Sequence, residues 1–295
     1  MKSTTTSWLR KISFTAWVLS YLLMQCPGSH AQENSAPPDR SGQATQANSD
    51  APTEIQEPPG IAAVPNRPTF GTTGETVQRG VLEIEYGFEA GEGHQNINGL
   101  IKFGIFKNLE LRFANNSLER DGGVAGGGDS GAGFKYRLVS QTPRRPTISI
   151  LYGAALPTAT AGLGIASTGH AVHALVSKDF GKHHWDFNEG VIFAGKAREG
   201  DYDRSYFTAL DYSHPLRGKW QWTAEIAGFT RTNAATPPSM TLMAAVTYNV
   251  SSRLVLDAGG YLAAFGNLPR FTFVAGVTYA IADLYHHHAG LTAKK

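Results

Sequence analysis

Nine charged residues stand at alternate positions inside otherwise apolar stretches: Glu83, Glu85, Lys102, Glu110, Arg112, Lys135, Arg137, Asp186 and Glu225. A period of two places successive side chains on opposite faces of a strand, so these charges share a face away from the apolar residues. Both signs occur, with Glu110 and Arg112 in one strand and Lys102 expected beside Glu83 and Glu85. Two kinds of chemistry fit such a set. Charges lining a pore tune what passes through it. Alternatively they pair across a narrow interior and fill it.

Other candidates are weaker. His173 and Ser177 lie four apart and share a strand face, and Ser213 and His214 are adjacent. Neither pair has an acid or amide partner that would activate a hydroxyl, so no enzyme is expected. A lipid-modifying enzyme is the last alternative. The glycine-rich run at 122–128 leads into Asp129 and Ser130, where a phosphate loop needs Lys then Ser or Thr, so it reads as an outer loop. His183 and His184 read as a solvated turn. His286, His287 and His288 are adjacent in a tail and do not form a preorganised metal site. No metal and no cofactor are expected.

The elements that carry these residues follow from the rest of the chain. It has 295 residues, 33 of them glycine, with 17% charged and 11% aromatic. After the first 30 positions no apolar run approaches the roughly 20 residues of a membrane helix. The formal net charge of +2 excludes a strongly basic nucleic-acid binder. Lys2, Arg10 and Lys11 precede a short apolar stretch and the triplet Ser29-His30-Ala31, which predicts a signal peptide over 1–31. Its removal takes away Cys26, the one cysteine, and leaves 23 basic residues against 24 acidic. Residues 32–74 are rich in Pro, Ala, Gln, Ser and Thr with few large apolar side chains, so they read as a disordered periplasmic arm.

From 75 to 285 the alternation predicts about 12 antiparallel strands. Leu82, Ile84, Tyr86 and Phe88 oppose Glu83, Glu85 and Gly87, and the pattern recurs as far as Phe271, Phe273, Ala275, Val277 and Tyr279. Glu189 interrupts the apolar face of its strand. Short turns near 107–108, 181–183, 217–219 and 251–252, with a modest one at 141–145, alternate with longer loops near 90–95, 115–128, 158–169, 197–204, 232–238 and 264–269. An even strand count with alternating loop lengths predicts an all-β fold, an outer-membrane β-barrel with both termini in the periplasm. Trp185, Tyr212, Trp220, Trp222, Tyr248 and Tyr279 near strand ends suit interfacial girdles. Period two alone does not separate this barrel from a soluble sandwich. The last strand is expected to end near Tyr279 or to reach Tyr285, with 286–295 a flexible tail. The partners expected are outer-membrane lipid, the barrel assembly machinery and a small-molecule solute, with no nucleic acid.

Gly128-Asp129, Gly131-Ala132-Gly133-Phe134-Lys135-Tyr136, Leu156-Pro157-Thr158 and Asn188-Glu189-Gly190 stand in order along the middle of the chain. In these motifs the sequence resembles the bacterial family named for the MetA pathway of phenol degradation. That resemblance covers most of the chain after residue 75 and implies an outer-membrane barrel, transporter-like, passing small molecules, aromatic ones among them. It brings no catalytic residues. The long Pro-rich arm and the His-containing tail depart from the family pattern. The function expected is a narrow channel for small, hydrophobic or aromatic solutes. The alternative is a plugged structural or adhesive barrel.

Overall fold

A computed structural model of the protein describes residues 60–198 and 200–285. The expected signal peptide at 1–31, the arm at 32–59 and the tail at 286–295, with Cys26 and His286 to His288, lie outside the described residues. Thirteen strands follow one another: β1 (Val81–Gly91), β2 (His94–Phe106), β3 (Leu109–Asp121), β4 (Val124–Gly126), β5 (Ser130–Val139), β6 (Thr147–Leu156), β7 (Ser167–Phe180), β8 (His183–Gly195), β9 (Tyr202–Pro215), β10 (Trp220–Phe229), β11 (Ser239–Asn249), β12 (Leu254–Phe265) and β13 (Phe271–Asp283). Each wall strand pairs antiparallel with its chain neighbours, and β13 pairs back onto β1. The sheet is therefore closed. Twelve strands form the wall, because β4 has three residues and only extends the end of β3. Closure leaves no unpaired edge, which a strand in lipid requires.

The two faces of this wall invert a soluble core. Glu83, Lys102, Glu110 and Lys135 are each 0% exposed, while Phe113 is 52% and Ile226 52% exposed. Apolar side chains point outward on every wall strand, as with Ile84, Ile101, Phe113, Phe134, Ile150, Val172, Tyr206, Leu242, Leu256 and Phe273, while a few, among them Leu175, Phe207, Met243 and Tyr261, are buried within. An apolar belt around the whole circumference with polar side chains inside is the arrangement of a transmembrane barrel. Wall strands of 10 to 14 residues suffice to cross a bilayer. Glu189 points outward with the apolar set, where Thr208 donates to it at 2.6 Å.

Both ends of the barrel chain, Val81 and Asp283, lie at one rim, paired with each other. That rim also carries the turn between β7 and β8, where Gly181 takes a φ of 64° that favours glycine, and the turn between β9 and β10. The other rim carries the loops at 157–166, 196–201 and 230–238. The expected strict alternation of loop lengths is not kept. β1 and β2 join through Glu92 and Gly93 alone, and β3 continues to Asp121 before turning through Gly122 and Gly123. The ladder there runs beyond the apolar belt, where neither face needs apolar residues, so alternation no longer marks it. β13 likewise extends past Tyr279 to Asp283.

The arm boundary expected at 74 also changes. Residues 60–80 enter the barrel from the turn rim and return to it. At the start, the Ala63 amide donates to the Ser252 carbonyl between β11 and β12 at 2.8 Å. At the end, the Gly80 amide donates to Gly104 of β2 at 2.6 Å. Between them the segment bonds side chains of strands on all sides of the wall, which only the interior allows. It has few apolar residues because it is held by hydrogen bonds from the wall rather than by a core of its own.

Candidate functional site

The inner wall holds the segment mainly by its backbone. The Val64 amide donates to Glu83 at 2.8 Å, and the Asn66 amide to Glu85 at 3.0 Å. Both oxygens of Glu225 accept, one from the Phe70 amide at 3.0 Å and one from Gly71 at 2.8 Å. Asn188 accepts from the Thr72 amide at 2.9 Å and donates to the Thr72 carbonyl at 3.0 Å. The Gly74 amide donates to Ser177 Oγ at 2.6 Å and the Val77 amide to Glu110 at 2.9 Å. Cations take the carbonyls. Lys102 Nζ donates to Val64 at 2.5 Å, and Lys135 Nζ to Thr73 at 2.9 Å and Glu75 at 2.8 Å. Carboxylates thus meet N–H groups and lysines meet C=O groups, which satisfies a chain with no sheet partner of its own.

Ion pairs bind the wall charges to one another as well. Lys102 stands 2.5 Å from Glu83 and also contacts Glu85. Glu110 lies between Arg112 at 2.8 Å and Lys135 at 4.0 Å. Arg137 reaches Glu75 of the segment at 2.5 Å. Asp186 contacts Ser177 and sits 2.9 Å from His184, which also meets Asp179 at 2.6 Å. His184 is therefore held between two carboxylates rather than free in a solvated turn. All nine charged candidates lie on the inner wall. Seven of them touch the inserted segment directly, and Arg112 and Asp186 act through neighbours.

Sequence reasoning did not single out Asp211, Asp257 or Arg67. Asp211 stands opposite both Asp186 and Glu225 in the ladder, so strand parity alone marks it as inward. Arg67 lies near the tip of the segment. It donates to Asn98 at 2.7 Å and to the Ala275 carbonyl at 3.3 Å, and approaches Asp257 at 3.6 Å. Its guanidinium occupies a slot left by two glycines of adjacent strands. A Cβ on Gly87 or on Gly276 would overlap it.

His173 and Ser177 share the inner face, but each is engaged elsewhere: Ser177 with Gly74 and Asp186, His173 edge-on to Phe207 at 5.5 Å. Ser213 pairs with Thr223 inside at 2.9 Å, whereas His214 stacks outside on His183 at 4.8 Å.

Two cavities flank the segment. One of about 1220 Å³ opens at the turn rim and includes Arg137, Asp186 and Asp211. The other, about 660 Å³, opens toward the loops and includes Arg112, His173, Ile192 and Phe207. Asn66, Arg67 and Thr69 line both. The mouth of the second cavity is set by Asp129, whose carboxylate accepts from the amides of Thr158 at 3.0 Å, Ala159 at 3.0 Å and Ile165 at 2.8 Å. Gly128-Asp129 and Leu156-Pro157-Thr158, far apart in the chain, thus meet at one rim. Asp129→Ala is expected to free the 157–166 loop. Added protease should then cut it about tenfold faster, while the unboiled barrel keeps its shifted gel mobility, because local opening does not require global unfolding.

No family model matches the chain, and no curated protein matches it. Solved structures do. The COG4313 outer membrane channel from Pseudomonas putida F1 is similar with a TM-score of 0.53 at 13% identity, covering 77% of this chain and 100% of that one. The NanC porin is similar with a TM-score of 0.51 at 8% identity, covering 68% and 100%. At such identities the likeness is one of fold. The closed twelve-stranded wall is a barrel of the kind found in outer-membrane channels.

Proposed function

We propose that this protein is an outer-membrane channel for small, hydrophobic or aromatic solutes, closed at rest by residues 60–80. The observation that carries this reading is the seating of that segment between two cavities that meet at Asn66, Arg67 and Thr69. A solid structural barrel has no need of a cavity at each end. The side chains that seat the segment are hydrogen-bonding groups, so water can replace each contact when it leaves. The apolar wall of the loop-side cavity and the resemblance to the MetA-pathway family both support hydrophobic or aromatic solutes. The turn rim, where the barrel chain starts and ends, faces the periplasm in this reading. Chemistry on the solute is not part of it, since Ser177 serves the segment.

The test is single-channel conductance in planar bilayers, with the gel-mobility shift as the check of folding. The full chain is expected to be mostly closed. A chain lacking 60–76 is expected to give discrete steps about tenfold larger, because interior charges and free cross-section govern conduction. Lys102 keeps Glu83 and Glu85, Glu110 keeps Arg112 and Lys135, and Arg137 and Glu225 meet water in the vacated interior, so it should fold. A folded, shortened barrel without steps would overturn the channel.

A further inference from the structure

The loop-side cavity has a composition more specific than a hydrophobic vestibule. Its inner wall is bare along one ladder row. Arg112 of β3 stands opposite Gly133 of β5, Gly133 opposite Gly153 of β6, Gly153 opposite Ala171 of β7, and Ala171 opposite Ile192 of β8. Two glycines and an alanine in register leave a flat floor. A Cβ added at Gly153 would meet nothing within 4 Å, so the space before it is open. One end of the row is a guanidinium. Arg112 shares the carboxylate of Glu110 with Lys135, and the wider cluster of Glu83, Glu85 and Glu110 with Lys102, Arg112 and Lys135 is balanced. The other end is apolar and aromatic. Ile192 packs with Phe207, which lies 4.9 Å from Phe229, and Phe229 lies 6.3 Å from Phe70 at the tip of the inserted segment.

We infer that this cavity is a binding site for a monocyclic aromatic carboxylate. The ring lies on the Gly133–Gly153 floor against Ile192 and Phe207, and the acid group faces Arg112. A volume near 660 Å³ suits a ligand of that size with some water. Arg presents several N–H donors in a plane, so Arg112 can keep Glu110 and still donate to a ligand carboxylate. The inference rests on the channel reading for its purpose, since a solute held here lies directly on Phe70 and Arg67. Binding itself needs no conduction.

The experiment is calorimetric titration of the refolded full-length barrel in detergent with benzoate, benzamide and glucuronate. Benzoate should bind at least about tenfold tighter than benzamide, which lacks the charge, and than glucuronate, whose ring is a polar sugar and not aromatic. Gly153→Leu, whose Cβ enters open space and whose side chain fills the room above the floor, should abolish benzoate binding. Arg112→Gln should remove the preference of benzoate over benzamide. Equal binding of benzoate and benzamide, tighter binding of glucuronate, or no binding to folded wild-type protein would each overturn the inference. Conductance of the shortened barrel alongside a failed titration would leave the channel standing. Benzoate binding to a barrel that never conducts would remove the channel and keep the site.

Discussion

Replacing Gly87 by leucine is expected to raise the open fraction of the full-length barrel about 100-fold. The inner face of β1 has no side chain at this position because Arg67 fills the space, and a Cβ there overlaps its guanidinium. Displaced, Arg67 loses its hydrogen bonds to Asn98 and Ala275 and its approach to Asp257. Hydrogen bonds to a charged group contribute about 1.5–3 kcal/mol each, so the seated state loses about 3–5 kcal/mol. Each 1.4 kcal/mol is about tenfold in a two-state ratio, which gives the stated change with margin for relaxation. Arg67→Ala should act in the same direction. The double variant should add little to either single change, because both remove the same contacts. Single-channel recording reads the effect. A folded Gly87→Leu barrel as closed as the wild type would show that Arg67 does not hold the segment.

The largest loss of stability is expected from Lys102→Met. Lys102 and Glu83 are directly opposite in the ladder between β1 and β2, and Glu85 follows on the same face. Lys102 and Glu83 are wholly buried and Glu85 is 2% exposed. Lys102 faces both carboxylates, so removing it leaves two anions side by side out of water. Breaking a buried ion pair on one side costs about 3–5 kcal/mol. The urea midpoint for loss of the shifted gel band should fall by about 1–5 M, given slopes of about 1–3 kcal/mol per molar. The triple variant with Glu83→Gln and Glu85→Gln should recover most of the loss, since neutral amides keep hydrogen-bonding oxygens for the Val64 and Asn66 amides. An unchanged midpoint for Lys102→Met would mean that the two carboxylates reach water.

Period-two alternation specifies the strands and their two faces before any fold is known. Residues two apart must share a face of a strand, so Glu83 with Glu85, Glu110 with Arg112 and Lys135 with Arg137 belong to one surface whatever the fold. The same rule marks Asp211 and Asp257, which sit among Tyr206, Leu210 and Tyr212 and among Leu254 and Leu256. Alternation by itself does not say which surface is inside, because it is the same in a sandwich and in a barrel; the loop pattern behind a signal peptide is what points to a barrel with the charges within. Only closure of β13 onto β1 decided it, by burying the charged face and exposing the apolar one. Residues 60–74 show the opposite failure. Their composition denies them a core of their own, and that reading of the local chemistry is sound. Tertiary structure supplied what composition could not, a ring of carboxylates, lysines and amides that satisfies an extended backbone one group at a time. The inward glycines follow the same logic. Gly87, Gly133, Gly153 and Gly276 look alike in a strand, yet two of them admit Arg67 and two form the floor of a cavity. What separates them is the chain that comes to lie opposite, and that is set by tertiary contacts such as those of Arg67 with Asn98 and Ala275.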